Sequence, residues 1–398
     1  MKSINTLWDI LGENAVVFPK YPELADGNKH FEYDADPSIP DHIIQAEMQR
    51  SFALSKDVQF LMEKGSMDPN LESYYNDIFS WNFKKENLLE YSKGEFIHVI
   101  NEYVKNKTLS VLHPYDAIES EKYQSDPELV SWLNDKHNLE EISAYAPKTY
   151  SDSLKYSDIE NISLFPSVLK SGVSSSGDGV EVLFNKWDLQ SALEKFGNYE
   201  SIKNGTEPLL LQEYVEAVEN VSVQMSVNSD GTISYIWITD QITEWDHGEY
   251  YLGNVIDNTG TVDQKMIEIG TEIAEFAKAK GYIWTMGIDV LKDSAGNYFV
   301  IDGNFRLTGC TTPTLLKNSQ FSHFDKIYAT SYGAENASVF DVLKSVHSDA
   351  ATILSSVTSQ AGDITKGHIV IGWESVDHIK EKMQQINATT ALNIELND

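Results

Sequence analysis

The apolar pattern along the chain changes character twice. Residues 1 to about 125 mix short apolar runs with polar stretches of helical spacing, as an α/β domain would. Within them LSVLHPY (109–115) reads as a strand ending at a proline-marked turn. The window SIPDHIIQAEMQRSFALSKDVQFLMEKG predicts two helices bounded by Pro40 and Gly65. From 126 to 208 comes a helix near SWLNDKHNLEEI, a strand FPSVLK, a Ser/Gly loop, a strand VEVLF and a helix KWDLQSALEKF. That is a small α+β unit, closed by the turn formers KNGTEP at 203–208. The remainder, 209–398, forms a third unit. LLLQEYV reads as a buried strand, and VSVQMSV and TISYIWITDQI form a hairpin over Asn228–Gly231. A helix then starts at Thr261, with Gln264 completing a capping-box pattern. Met266, Ile269, Gly270, Ile273, Ala274 and Ala277 share one face of it, and Gly281 ends it. GHIVIGW and a charged helix follow in the tail, and no internal repeat is visible.

Composition narrows the class. Apolar residues make up 41% of the 398 and aromatics 11%, enough for substantial cores and too much for a disordered chain. Thirty Lys and Arg against 61 Asp and Glu give a net charge of −31, which repels nucleic-acid phosphates and anionic lipid. Neither nucleic acid nor membrane is an expected partner. Within so negative a field, any site for an anion needs local cations, so well-placed Lys and Arg are informative. The lone Cys310 excludes an internal disulfide framework and a cysteine-rich zinc site, and reads as a small buried hydrophobe. The N-terminus carries no apolar core of the export type, and no stretch reaches the ~20 apolar residues of a membrane span. A cytoplasmic location is the expectation.

The strongest chemical signal is GIDVLKDSAGNYFVIDGNFRLTG, 287 to 309. Two apolar strands flank a DSAGN turn, and a hairpin symmetric about Ala295–Gly296 sets Asp289 directly opposite Asp302. Two like charges at that separation destabilise each other unless a cation lies between them. Alternation puts Tyr298, Val300, Asp302, Asn304, Arg306 and Thr308 on one face and Phe299, Ile301, Phe305 and Leu307 on the other. Two carboxylates and an amide oxygen suit magnesium, and Arg306 would meet a phosphate or a developing anion. An ordinary polar surface face is the bland alternative.

FPSVLKSGVSSSGDGV (165–180) is a strand ending in Lys170, then a Ser/Gly loop. Its glycines allow close backbone approach to an anion, Ser174, Ser175 and Ser176 add hydroxyls, and Lys170 adds a point charge. The loop is not a P-loop, because Asp178 follows Gly177 where that motif needs Lys. A mobile surface turn explains it equally well in isolation.

Taken in order, Lys136, the strand-end Lys170, the Gly loop, the QEYV strand and the acidic hairpin with Arg306 resemble the ATP-grasp superfamily over roughly 130–310. The resemblance implies nucleotide held between two α+β subdomains behind an N-terminal α/β domain, within boundaries 1–125, 126–208 and 209–398. It implies ATP and Mg2+ as cofactors. Lys136, Lys170, Ser174, Ser175, Ser176 and Gly177 would meet the phosphates, and Glu213, Tyr214 and Val215 would border adenine. Seven residues beyond Glu213, where many members place a ribose-binding Glu, this chain has Asn220, with Glu219 as a substitute. Asp289, Asp302 and Asn304 match the metal ligands, Asp302 standing where Glu is commoner, and Arg306 and Lys170 the catalytic cations.

ENVSVQ, TDQIT and NFRLTG look most like the peptide-ligase branch with a pre-ATP-grasp domain. That branch implies small-molecule carboxylate and amine substrates joined through an acyl phosphate, and is compatible with a homodimer. Gln241, His247, Glu249 and Thr308 are the candidate substrate contacts, although a His and Glu of this kind are more often surface groups. An ATP-grasp kinase, a nucleotide-binding regulator without turnover and a structural calcium site stay open as alternatives.

Overall fold

The computed structural model describes residues 4, 6–21, 41–55, 58–79, 87–92, 94–174, 179–245, 249–260, 262–317, 321–346, 351–373 and 394–396. Three sheets organise them. The first is parallel, in the order Leu88–Tyr91, Gln59–Glu63, Ala15–Phe18, Thr108–Val111. Ala15–Phe18 is buried at every position, as an inner parallel strand covered on both faces must be. The expected strand at 109 is therefore present, within an α/β domain.

The window at 38–65 departs from expectation. Asp41–Arg50 is a helix and Phe52–Leu54 a 3-10 turn, but Gln59–Glu63 is a strand. QFLME is too short for periodicity to separate helix from strand, and its pairing with Ala15–Phe18 and Leu88–Tyr91 decides.

The second sheet, whose unit is referred to as the lid, is antiparallel: Thr149–Leu154, Leu209–Glu213, Ser167–Ser171, Val180–Leu183. It has a core of its own, centred on Ile159, Leu169, Phe196 and Leu211 and separate from the main core. Such a unit can move as a body without breaking another core.

The third sheet has nine antiparallel strands, running from the edge strand Tyr298–Asn304 through Trp284–Asp293, Ala217–Val227, Ile233–Trp245, Glu249–Asp257, Lys326–Glu335 and Ile364–Trp373 to Ala351–Thr358, with Ile394–Leu396 also on Lys326–Glu335. Alternation along VSVQMSV sends Val221, Val223 and Met225 into the main core beneath the helix Gln264–Ala279. The intervening Ser222, Gln224 and Ser226 are buried too, on the other face. All six apolar positions expected for that helix face are buried, and Gly281 ends the helix at φ +98. Its start differs from expectation: Asp263 is the N-cap, accepting from the Lys265 N–H at 2.9 Å, and Thr261 lies outside the described residues. Asp263 is favoured because its other oxygen takes Lys292 Nζ at 3.0 Å and Tyr298 Oη at 2.7 Å, tying the helix to the acidic hairpin.

The main core runs without a break from Leu7, Phe52 and Phe60 in the N-terminal domain to Met286 and Ile369 in the large sheet. In the tail, GHIVIGW falls in a strand as expected, and the charged segment after it lies outside the described residues. No helix among the described residues is long and apolar enough to cross a membrane.

Candidate active site

Asp289 pairs directly with Asp302, and Gly287 with Asn304. The acids meet as expected, but by a different route. Near the turn the register is one residue off the symmetric one, with Lys292 opposite Tyr298 and Val290 opposite Val300. A bulge at Ile301 restores it. The bulge also overturns the expected faces. Val300 is fully buried in the main core, Tyr298 turns to the helix cap, and Ile301 lines the cleft. Phe299 sits opposite Leu291, a cleft residue, so the cleft face reads Phe299, Ile301, Asp302, Asn304, Arg306, Thr308.

Burial and the charge of Asp302 push the Asp289 carboxyl up to about 7, although hydrogen bonds from Ser222 and Gln241 oppose the shift. Gln241 Nε2 donates to Asp289 Oδ1 at 2.7 Å and Asn304 Nδ2 to Oδ2 at 3.2 Å. Asn304 thus presents its NH2 to the acid and its oxygen to Arg306 Nη2, at 2.9 Å. Rotating that amide would turn its oxygen to the acids and its NH2 to the guanidinium, so Arg306 would have to move to another acceptor. The pair is hard-oxygen chemistry in which burial and mutual repulsion outweigh the neighbouring Lys136, which fits a divalent cation.

Cations surround it. Lys136 sits in the 3-10 turn Lys136–Asn138, its Nζ 3.3 Å from Asp302 Oδ2 and 3.3 Å from Ser174 Oγ. Its backbone N–H donates to Gly172 O at 2.9 Å, which fixes it against the lid. Gly172 is needed there, since a Cβ would lie 2.7 Å from both Asp135 Oδ1 and His137 Nδ1. Lys170 Nζ donates to the carbonyl of the bulged Ile301 at 3.2 Å. Both lysines and Arg306 are buried.

These groups line one end of a cleft of about 320 Å3 between lid and large sheet. Arg50, Lys136, Lys170 and Arg306 line the cleft together with Glu213, Asp289 and Asp302, so it holds four cations and three acids in a chain of net charge −31. The other end is apolar, with Pro147, Val168, Val182 and Leu291, bordered by Tyr214 and Val215. Glu213 Oε1 accepts from the Lys148 N–H at 2.8 Å and so anchors that end. Asn220 pairs with Leu291 in the ladder, and its amide oxygen is buried without a hydrogen-bond partner among the described residues. Glu219 is engaged by Lys292 Nζ at 3.1 Å.

Of the substrate candidates, Gln241 holds Asp289, and the Thr308 hydroxyl donates to Gln224 Oε1 at 3.1 Å in a buried polar layer. His247 lies outside the described residues, as do Ser175, Ser176 and Gly177, and of Glu249 only the strand position opposite Trp245 is described. Cys310 lines the cleft with its thiol pushed up by burial, which is the behaviour of an inert side chain.

Sequence reasoning missed a whole wall. Tyr21 and Arg50 from the N-terminal domain and Tyr251 from the large sheet also line the cleft. Nearby His113 is buried, and burial together with Arg306 and Lys136 pushes its pKa well down. Ser222 could have been found, because polar residues at alternate positions of an otherwise apolar strand mark a face that meets other polar groups.

Segment 148–304 matches the family model described as L-aspartate–L-methionine ligase, ATP grasp, which is less than half of the chain. Among solved structures, one similar fold is the ADP complex of an N5-carboxyaminoimidazole ribonucleotide synthetase: TM-score 0.58, 11% identity, 98% of this chain and 100% of that one. A second is the biotin carboxylase β-γ-ATP complex from Campylobacter jejuni: TM-score 0.58, 12% identity, 96% and 92%. A third is the biotin carboxylase domain dimer of Hydrogenobacter thermophilus 2-oxoglutarate carboxylase with MgADP, ADP and bicarbonate: TM-score 0.59, 12% identity, 97% and 91%. At these identities the likeness is one of fold. The chain therefore shares the fold of these structures, an N-terminal α/β domain followed by α+β subdomains with a cleft between them.

Proposed function

We propose that the chain is an ATP-dependent ligase joining a carboxylate, amino-acid-like in character, to an amine. The observation that carries this reading is the opposed pair Asp289 and Asp302, with Asp289 raised to about 7, set among Lys136, Lys170 and Arg306. So much like charge in one place asks for a cation, and the surrounding donors ask for a polyanion. Asp289 and Asp302, joined by the Asn304 amide oxygen after rotation, would hold magnesium, which when bound supplies charge neutralisation at the nucleotide phosphates. The family match over 148–304, whose description names two amino acids and a ligase, supports amino-acid substrates.

In this reading the apolar end, Val168, Val182 and Leu291 under Tyr214 and Val215, takes the adenine. Asn220 has an unused amide oxygen at the same end, suited to a ribose hydroxyl. Lys136 and Lys170 bind phosphate oxygens. A carboxylate oxygen attacks the γ-phosphorus, the bond to ADP breaks, and Arg306 balances the negative charge that develops on the transferring group. The amine nitrogen then attacks the acyl carbon, phosphate leaves with the bonding pair, and the nitrogen loses a proton as the amide forms. Closure of the lid over the site excludes water from the acyl phosphate.

The test is ADP release from magnesium-ATP with pooled amino acids, in the wild type and in Asp302→Ala. The ligase reading expects release that requires both a carboxylate and an amine and disappears in the variant. Release that needs one substrate and ignores amines would instead make the chain a small-molecule kinase.

A further inference from the structure

Lys136 reaches the cleft from a short turn at the border between the lid and the rest of the molecule. The turn belongs to the large-sheet side. The helix Pro127–Asn134 before it and the helical turn Leu139–Ile142 after it pack against the hairpin strand Tyr298–Asn304, and Asn134 Oδ1 accepts from the Phe305 N–H at 3.0 Å. The lid meets the turn through Gly172, at the root of the Ser/Gly loop, whose carbonyl takes the Lys136 N–H.

Behind that contact stands a cluster of titratable groups with no part in the chemistry described so far. Asp135 caps the turn: its Oδ1 accepts from the His137 N–H at 3.0 Å and lies 2.8 Å from Nδ1. An ionised Asp135 can only accept, so the imidazole carries its first proton on Nδ1. Nε2 is buried with no hydrogen-bond partner among the described residues. Two acids act on the ring from the lid, Glu207 just before the strand Leu209–Glu213 and Asp152 on the edge strand Thr149–Leu154. The Glu207 carboxyl accepts from the Ser201 hydroxyl at 3.0 Å and is steadied by the Gly172 backbone. Lys136, the neighbouring cation, is committed to Asp302 and Ser174.

A neutral ring leaves Asp135 on one side of the border and Glu207 on the other as like charges, both against Gly172. A protonated ring supplies the counter-charge that both acids face, and draws the lid onto the Lys136 turn. The Asp135 hydrogen bond, backed by the charges of Asp135, Glu207 and Asp152, outweighs burial and raises the His137 pKa above its ordinary value. Burial raises the Glu207 carboxyl as well, against the pull of Ser201, Gly172 and His137, as expected of a group short of positive charge.

We propose that His137 is a positioning residue for the nucleotide: protonated, held by Asp135 and faced by Glu207 from the lid, it latches the root of the Ser/Gly loop onto the Lys136 turn and so strengthens the grip on phosphate. The inference rests on the nucleotide site of the ligase reading and on nothing about its two substrates. The latch is complete below the pKa of the ring and is lost as the pH rises through it. By reciprocity, bound nucleotide draws a proton onto His137.

The experiment is calorimetric titration of a non-hydrolysable ATP analogue with magnesium into the full chain, from about pH 6.5 to about pH 9, for the wild type, His137→Gln and Glu207→Gln. Titration of Asp289 and of the analogue is common to all three and cancels in the ratio of variant to wild-type Kd. His137→Gln keeps a donor for Asp135 and cannot take the charge, so its ratio should be about tenfold at the acid end and fall to about one at the alkaline end. Glu207→Gln should give about fivefold at the acid end and drop to one or below at the alkaline end, where it removes a repulsion. A merely structural role would weaken binding equally at every pH, so a flat ratio in His137→Gln would overturn the proposal. Should that variant not fold, seen as a collapsed melting temperature, a flat ratio in Glu207→Gln would overturn it as well. A wild type that binds no analogue at any pH would overturn both the latch and the nucleotide site. Ratios that fall with pH, without any amine-dependent ADP release, would sink the ligase reading and leave the latch standing.

Discussion

Two charged clusters meet the same cleft, one through Arg50 and the other directly, and are built on contrary principles. Glu47, Arg50 and His368 are mutually satisfied: burial raises the Glu47 carboxyl, but Arg50 and His368 outweigh it and hold the group down at about 2. Asp289 and Asp302 are the reverse, two acids opposed in a ladder, with burial and mutual repulsion lifting Asp289 to about 7. A completed network of that kind fixes geometry, and an incomplete one stores a demand for a ligand. The difference separates a region that orients from a region that binds.

Three substitutions would break or sharpen this contrast. The largest effect is expected for Asp302→Asn, which should lower kcat/KM for ADP release by about 1000-fold, roughly 4 kcal/mol of lost transition-state stabilisation. The same change should lower the melting temperature of the ligand-free protein less than a Glu47 variant does, because relief of the repulsion on Asp289 offsets part of what Lys136 loses with its partner. A melting temperature that falls as far as that of a Glu47 variant would mean that the two clusters do the same job.

Next comes Glu47→Gln, expected to cost about 3 kcal/mol of stability near pH 7, since the carboxyl lies about two and a half units below its ordinary value in the folded chain. A depressed carboxyl contributes fully above its unfolded pKa and loses that contribution as pH falls toward the folded one. The urea midpoints of wild type and variant should therefore differ by a constant amount from pH 7 to about 4.5 and converge below it. A gap that stays constant down to pH 3 would show that packing, and not charge, is what Glu47 supplies.

The smallest effect is expected for Gly172→Ala. A Cβ at 2.7 Å from the Asp135 and His137 side chains forces that pair to shift, at a cost of about 1–2 kcal/mol. Lys136 receives its position from the Gly172 carbonyl, so the KM for ATP should rise severalfold with little change in kcat. An unchanged KM would mean that Lys136 is positioned without the lid.

Legibility in the sequence followed the distance over which each part of the site is encoded. The lid strand, its lysine and the acidic hairpin are contiguous segments with their own periodicities and turn residues, so Lys170, Asp289, Asp302 and Arg306 could be read and placed. Even there the alternation failed at Val300 and Ile301, because nothing in YFVIDGN marks a bulge and the register depends on both strands. The oriented cluster was invisible for a different reason. Glu47 and Arg50 lie on a helix legible only by its apolar spacing, and the His368 that completes the cluster comes from a strand more than 300 residues further along. The strand at 59–63 was misread for a related cause, since only its two parallel neighbours distinguish it from a helical turn.

The bulge at Ile301 has one more consequence. A regular ladder would have turned that carbonyl toward a neighbouring strand, whereas here it is moored to the ammonium of Lys170 from the lid. When a phosphate arrives, the ammonium has only to change berths from one oxygen to another, and at no point does its charge stand bare in a buried site. In the ligase reading, an irregularity of one residue in an edge strand would thereby link docking of the ligand to movement of the lid.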